Sequence, residues 1–182
     1  MPSVTHYKGR YISLVERDGW EFAARPVPVV AVLVAWTDDD RLLLVEQFRQ
    51  PVENTVIELP AGLVGDIAEN VGESVIEAGY RELIEETGYR AGGIREVMRC
   101  PTSAGVTNET AVFLAATELE RVGAGGGDDS EDIIVHAIER ARLDVWLRQQ
   151  YAEGKAIDPK VYTVLGWGPD PRPFDGPRRD AA

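Results

Sequence analysis

Two periods of apolar residues alternate along this chain. Residues 28–36 are a β-branched apolar run and residues 41–48 another, joined by the turn-forming Asp38-Asp39-Asp40; the pattern predicts an antiparallel pair with at least one strand in the core. Upstream, residues 11–15 and 20–25 predict a hairpin closed by Asp18-Gly19. Shorter strands are expected at 56–59, 94–100, 111–117 and 133–138. Helical spacing predicts helices at 74–87, 141–153 and 158–166. This mixture suggests an α+β or α/β sandwich.

The helix at 74–87 carries the strongest local signals. Ser74-Val75-Ile76-Glu77 is a capping box, in which the serine takes a free amide and the glutamate reaches back. Gly88 suits a left-handed C-cap. Ile76, Leu83 and Ile84, with Tyr80, form the predicted buried stripe. Gly79 is an oddity, costing about 1 kcal/mol against alanine in a helix interior; it would let another backbone approach.

Composition and charge narrow the setting. The chain has 182 residues, 44% of them hydrophobic, which is enough for one domain with a real core. A net charge of −12 argues against nucleic acid and anionic membranes as partners. No apolar run reaches the roughly 18–20 residues that span a bilayer. No signal peptide is expected at the start, and a lone Cys100, read as a small core residue, fits a cytoplasmic protein. Residues 123–130, rich in glycine and aspartate, read as a flexible loop, and the proline-rich stretch from Gly168 as a tail that is poorly ordered or draped on the surface.

The candidate chemistry lies on the capped helix. Glu82 and Glu86 stand one turn apart, while Arg81 lies one turn from both Glu77 and Glu85 and can hold those two carboxylates. Two oxygen donors at i and i+4, with a nearby carbonyl, suit Mg²⁺ or Mn²⁺; the alternative is a solvated acidic helix. The segment from Arg81 to Tyr89, preceded by Glu73 and by Leu59-Pro60-Ala61-Gly62, resembles the Nudix box of the Nudix hydrolases. That resemblance implies a Nudix-type α/β/α sandwich with a mixed sheet over residues 27–167. It also implies divalent-metal hydrolysis of a diphosphate, with metal held by Glu82, Glu86 and the Ala61 carbonyl and with Glu85 and Arg81 beside them. Gly62 and Glu73 are separated by ten residues, more than is usual in the family, in a loop where insertion is cheap.

Beyond the box, Gln47-Phe48-Arg49 followed by Glu58-Leu59-Pro60-Ala61-Gly62 resembles the ADP-ribose pyrophosphatase branch. The resemblance assigns Arg49 to the diphosphate, which a guanidinium binds in a bidentate way, and Glu58 to the substrate. Trp20 and Arg25 resemble the branch's base-gripping pair, an indole face being able to stack on a purine. Residues 1–26 would then form an N-terminal hairpin region that contacts substrate and supports a homodimer. Glu131 resembles the branch's general base or further metal ligand, on a loop that closes over substrate, with Asp129 and Asp132 as substitutes and a solvated acidic loop as the alternative. Glu109 reads as a carboxylate that satisfies its own loop, the alternative being a contact to substrate or metal. The implied substrate is a nucleoside diphosphate sugar, with ADP-ribose first and GDP-mannose or another sugar nucleotide second; a non-catalytic nucleotide-sensing domain is a third reading.

Overall fold

The computed structural model describes residues 3–65, 70–127 and 132–173. The chain begins with β1 (Ser3–Lys8), β2 (Ser13–Arg17) and β3 (Trp20–Ala24), an antiparallel sheet in that order. The β2–β3 turn is Asp18-Gly19 as the sequence predicts, both at positive φ, which matches the twist of the flanking strands. β1 was not expected, because it is exposed at every position and shows no apolar period.

β4 (Val29–Ala35) and β5 (Arg41–Arg49) are the two apolar runs, yet they do not form the predicted antiparallel ladder. Of that ladder only the bridge between Trp36 and Leu42 remains. β6 (Asn54–Glu58) and β7 (Ala61–Leu63) follow, and then the pairing diverges. β4 lies between β7 and the parallel β10 (Thr110–Thr117), with β9 (Gly93–Pro101) at the edge. β5 lies in a second sheet between β6 and β12 (Ile134–Glu139), with β13 (Ala156–Ile157) beyond β6. Both strands are buried on both faces and paired on both edges: β4 takes β7 and the distant β10, while β5 takes the adjacent β6 and the distant β12. A small ladder of β8 (Tyr89–Arg90) with β11 (Glu120–Arg121) completes the strands.

Helix α1 (Val75–Thr87) covers one face of β4 and β10, where Ala31, Leu33 and Leu114 meet Ala78 and Leu83. The opposite face, Val32, Val34 and Phe113, packs with Leu42, Leu44 and Ile57 and with α2 (Leu143–Ala152) and α3 (Pro159–Val164). This is the expected α+β sandwich with mixed sheets. None of the helices described is long and apolar enough to cross a membrane.

The stripe on α1 differs from the predicted one. Leu83 is fully buried but Ile84 is exposed, and the packing face runs through Ala78 and Gly79. A Cβ on Gly79 would come within 2.6 Å of Leu114 Cδ1, so the glycine admits a core side chain rather than another backbone. The first part of the tail is anchored: Arg95 bonds Asp170 and the Pro171 carbonyl, and Trp167 meets the Phe113 ring edge-on at 5.3 Å.

Candidate active site

The site starts from the capping of α1. The Ser74 hydroxyl accepts from the Glu77 amide at 3.2 Å, and the Glu77 carboxylate accepts from the Ser74 amide at 2.7 Å. Glu77 is thus committed to the cap, and Arg81 does not take it as the spacing predicts. Arg81 instead binds Glu73 through Nε and Nη2 (3.3 and 2.8 Å), and Glu82 and Glu85 through Nη1 (2.6 and 3.0 Å). Its Nη2 also reaches the Leu63 carbonyl at 3.3 Å. One guanidinium therefore ties the start of the helix, its acidic face and β7 together.

Glu73 closes the long loop as well, accepting from the Gly65 amide at 2.8 Å. Burial pushes its carboxyl up, but the Arg81 hydrogen bonds, the Gly65 amide and the Arg81 charge outweigh this and hold it below the usual carboxylate value. The hydrogen bonds that Arg81 donates to Glu73, opposed by burial and joined by the charge of Glu82 and the bonds to Glu82 and Glu85, hold the Arg81 proton more tightly than usual.

Glu82 and Glu86 converge on β7. The Ala61 amide donates to Glu86 Oε2 at 2.9 Å, and Glu86 is only 2% exposed. A Cβ on Gly62 would fall 1.9 Å from the Glu82 carboxylate, so only glycine leaves room for that side chain. Two carboxylates against the backbone of Ala61-Gly62 form an oxygen-rich cradle that fits a hard divalent cation. Among the described residues, no third His, Cys, Asp or Glu joins them with all ligand atoms inside 4.8 Å. A cation here would draw further donors from the main chain and water.

The far end of α1 is held by a segment that the sequence presented as a flexible loop. The amides of Gly126 and Gly127 donate to the carbonyls of Glu86 and Glu85 at 2.8 and 3.1 Å, and those of Val122 and Gly123 donate to the Gly88 carbonyl. These bonds satisfy carbonyls that a helix C-terminus otherwise leaves unpaired. Gly125, at φ +72°, packs so closely that a Cβ would meet the Thr87 backbone at 2.4 Å. The glycine run is thus a docked cap on the acidic helix. Its signal in the sequence was the clustered glycine itself, which composition reads as freedom. Glu131 and Asp129 lie outside the described residues.

Arg49 and Glu58 are paired at 2.8 Å. The β5–β6 register places them on the same face, and Glu58 stands three residues before Ala61. An open pocket of about 640 Å³ adjoins the end of β5, lined by Phe48, Arg49, Glu46 and Asp132 among others. Trp20, 67% exposed, opens β3, while Arg25 follows its other end. The two therefore stand at opposite ends of β3. Arg25 pairs with Glu109 at 3.4 Å, and its amide and carbonyl bond the Asn108 side chain. The Glu109 carboxylate thus pairs with the end of the N-terminal sheet rather than with its own loop, and with β3 bonding Val106 and Asn108 it docks that sheet.

A mixed-sheet sandwich with an arginine-tied acidic helix against a Pro-Ala-Gly turn is the arrangement that comparison with known proteins places in one domain family. The NUDIX domain matches residues 26–163. The chain is 33% identical over 112 residues to an ADP-ribose pyrophosphatase of Bacillus subtilis (strain 168), a match covering 60% of this chain and 58% of that protein. It is 31% identical over 158 residues to a methanol dehydrogenase activator of Bacillus methanolicus, covering 83% and 80%. A solved structure described as "Crystal structure of ADP compounds hydrolase" matches with a TM-score of 0.61 at 18% identity, over 85% of this chain and 93% of that one, a likeness of fold. The chain belongs to the NUDIX domain family, and it spans 58% of the length of the Bacillus subtilis ADP-ribose pyrophosphatase it resembles.

Proposed function

We propose that the protein hydrolyses the diphosphate of a nucleoside diphosphate sugar, ADP-ribose foremost, to AMP and ribose 5-phosphate. The observation that carries this is the convergence of Glu82 and Glu86 on Ala61-Gly62, three residues beyond the Glu58 that pairs with Arg49. The substrate class follows from the resemblance to ADP-ribose pyrophosphatases.

Glu82, Glu86 and the Ala61 carbonyl would hold Mg²⁺ or Mn²⁺, hard cations that suit an all-oxygen donor set. When bound, such ions polarise a phosphoryl group and lower the pKa of water. Arg81 keeps Glu82 and Glu85 in place through Nη1, and the Ala61 amide fixes the Glu86 carboxylate. Arg49 exchanges its bond to Glu58 for the substrate diphosphate and offsets charge that develops there. Glu58 is then left to accept from the substrate. Glu131 takes the proton of the attacking water as general base. Trp20 and Arg25 contribute to base recognition, with the N-terminal sheet reaching across a homodimer as the family resemblance implies.

The test is a phosphatase-coupled assay over a panel of nucleotide sugars, with and without EDTA, on the wild type and Glu82→Gln. ADP-ribose should be the best substrate, EDTA should abolish turnover, Mg²⁺ should restore it, and the variant should fold but be inactive. Turnover by the variant or in EDTA would overturn the metal assignment. Faster hydrolysis of GDP-mannose would overturn the substrate.

A further inference from the structure

We propose a second divalent-cation site of the zinc class on the N-terminal sheet, formed by His6, Glu16 and Glu21. Each of the three strands supplies one ligand, β1 the imidazole and β2 and β3 a carboxylate apiece. One ligand atom from each lies within 4.8 Å of the other two, and His6 Nε2 is 2.7 Å from Glu16 Oε2. Among the described residues this is the one group of three such side chains that meets that spacing. All three residues precede the segment matched by the NUDIX domain, and none belongs to the Glu82–Glu86 cradle.

The geometry favours an ion over a plain ion pair. Glu16 and Glu21 are directly opposite each other in the β2–β3 register, where like charges are destabilising. A single imidazole cannot neutralise both, whereas a dication balances two carboxylates and a neutral imidazole. The register of β1 against β2 slips between Thr5 and Tyr7, so His6 occupies the irregularity. Such bulges re-aim a side chain that the pleat would otherwise place elsewhere.

The donor set decides which ion. An imidazole with two carboxylates suits Zn²⁺, whose bonds to nitrogen and oxygen are about 2.0–2.2 Å, and exposure leaves water free to fill the fourth position. The catalytic cradle offers oxygen alone and suits a harder ion, so the two sites are chemically distinguishable. A bound ion would also fasten β1, which is exposed along its whole length and has little burial to hold it.

The experiment is calorimetric titration of the full chain with Zn²⁺ in excess Mg²⁺, which occupies the oxygen-only cradle. Amide hydrogen exchange is followed in parallel, with circular dichroism confirming the fold of each variant. The wild type should bind a single equivalent of Zn²⁺, and the β1 amides should become protected. His6→Ala and Glu21→Gln should weaken binding by roughly tenfold or more, at least the cost of losing an outer-sphere partner, and lose that protection. Glu82→Gln should retain both. No uptake by the wild type, wild-type affinity in both N-terminal variants, or loss of the equivalent in Glu82→Gln would each overturn the proposal. The readout is ion binding rather than hydrolysis, so its failure is distinct from failure of the catalytic assignment.

Discussion

The amide of Ala61 donates to the Glu86 carboxylate at 2.9 Å across 25 residues of chain. That bond joins the short strand β7 to the acidic face of α1, and its neighbour Gly62 admits the Glu82 carboxylate by having no side chain. The backbone of two small residues thereby sets where both carboxylates sit.

Gly62→Ala should therefore damage activity more than stability. Its Cβ would occupy the position of the Glu82 carboxylate and push it away by an ångström or more. Misplacement of about 1 Å can cost about 10²-fold in rate. Steady-state kinetics with a Mg²⁺ titration should show reduced kcat and a weaker metal requirement curve, while the thermal melt changes little.

Gly125→Ala should lower stability and activity together. The new Cβ would lie 2.4 Å from the Thr87 carbonyl carbon and 2.7 Å from the Gly88 amide nitrogen, both backbone atoms that cannot rotate away. Left-handed φ adds about 1–2 kcal/mol for a non-glycine residue, and overpacking adds about 1–3 kcal/mol. Chemical denaturation with a parallel assay checks this. An unchanged midpoint would contradict the docked arrangement of the glycine run.

Arg81→Ala should destabilise the protein by about 2–3 kcal/mol, since hydrogen bonds to charged groups contribute about 1.5–3 kcal/mol. The loss strands Glu73, Glu82 and Glu85 as neighbouring like charges. Arg81→Lys should recover only part of the stability, because one ammonium cannot reproduce the fork that spans three carboxylates. Urea midpoints of the two variants give the comparison.

Acid should weaken the fold through Glu73 and Glu46. In each, burial raises the carboxyl, but partners outweigh it: Arg81 and the Gly65 amide for Glu73, Lys155 and His136 for Glu46. Both folded values lie below the ordinary 4.5. The stabilisation is thus complete above that value and is lost as pH falls through the lowered folded values. Glu73→Gln should flatten the decline in denaturation midpoint measured from neutral pH down to about pH 3. A decline as steep as that of the wild type would contradict the Arg81–Glu73 linkage.

What the sequence determined by itself was local. The Ser74–Glu77 capping box, the Gly88 cap, the Asp18-Gly19 turn and the spacing of Glu82 and Glu86 all act within about a turn of helix or hairpin, so their physics is written in neighbouring residues. Tertiary structure decided everything that depends on which distant segments meet. It placed β4 and β5 in different sheets, because each buried strand fills its second edge with a strand from far along the chain, β10 for β4 and β12 for β5. It moved Arg81 from Glu77 to Glu73, because the cap had already claimed Glu77 and the long loop returns Glu73 to the helix face. It turned the glycine run of residues 123–127 from apparent slack into a helix cap, because unpaired carbonyls at the end of α1 and chain without side chains fit each other only once folded.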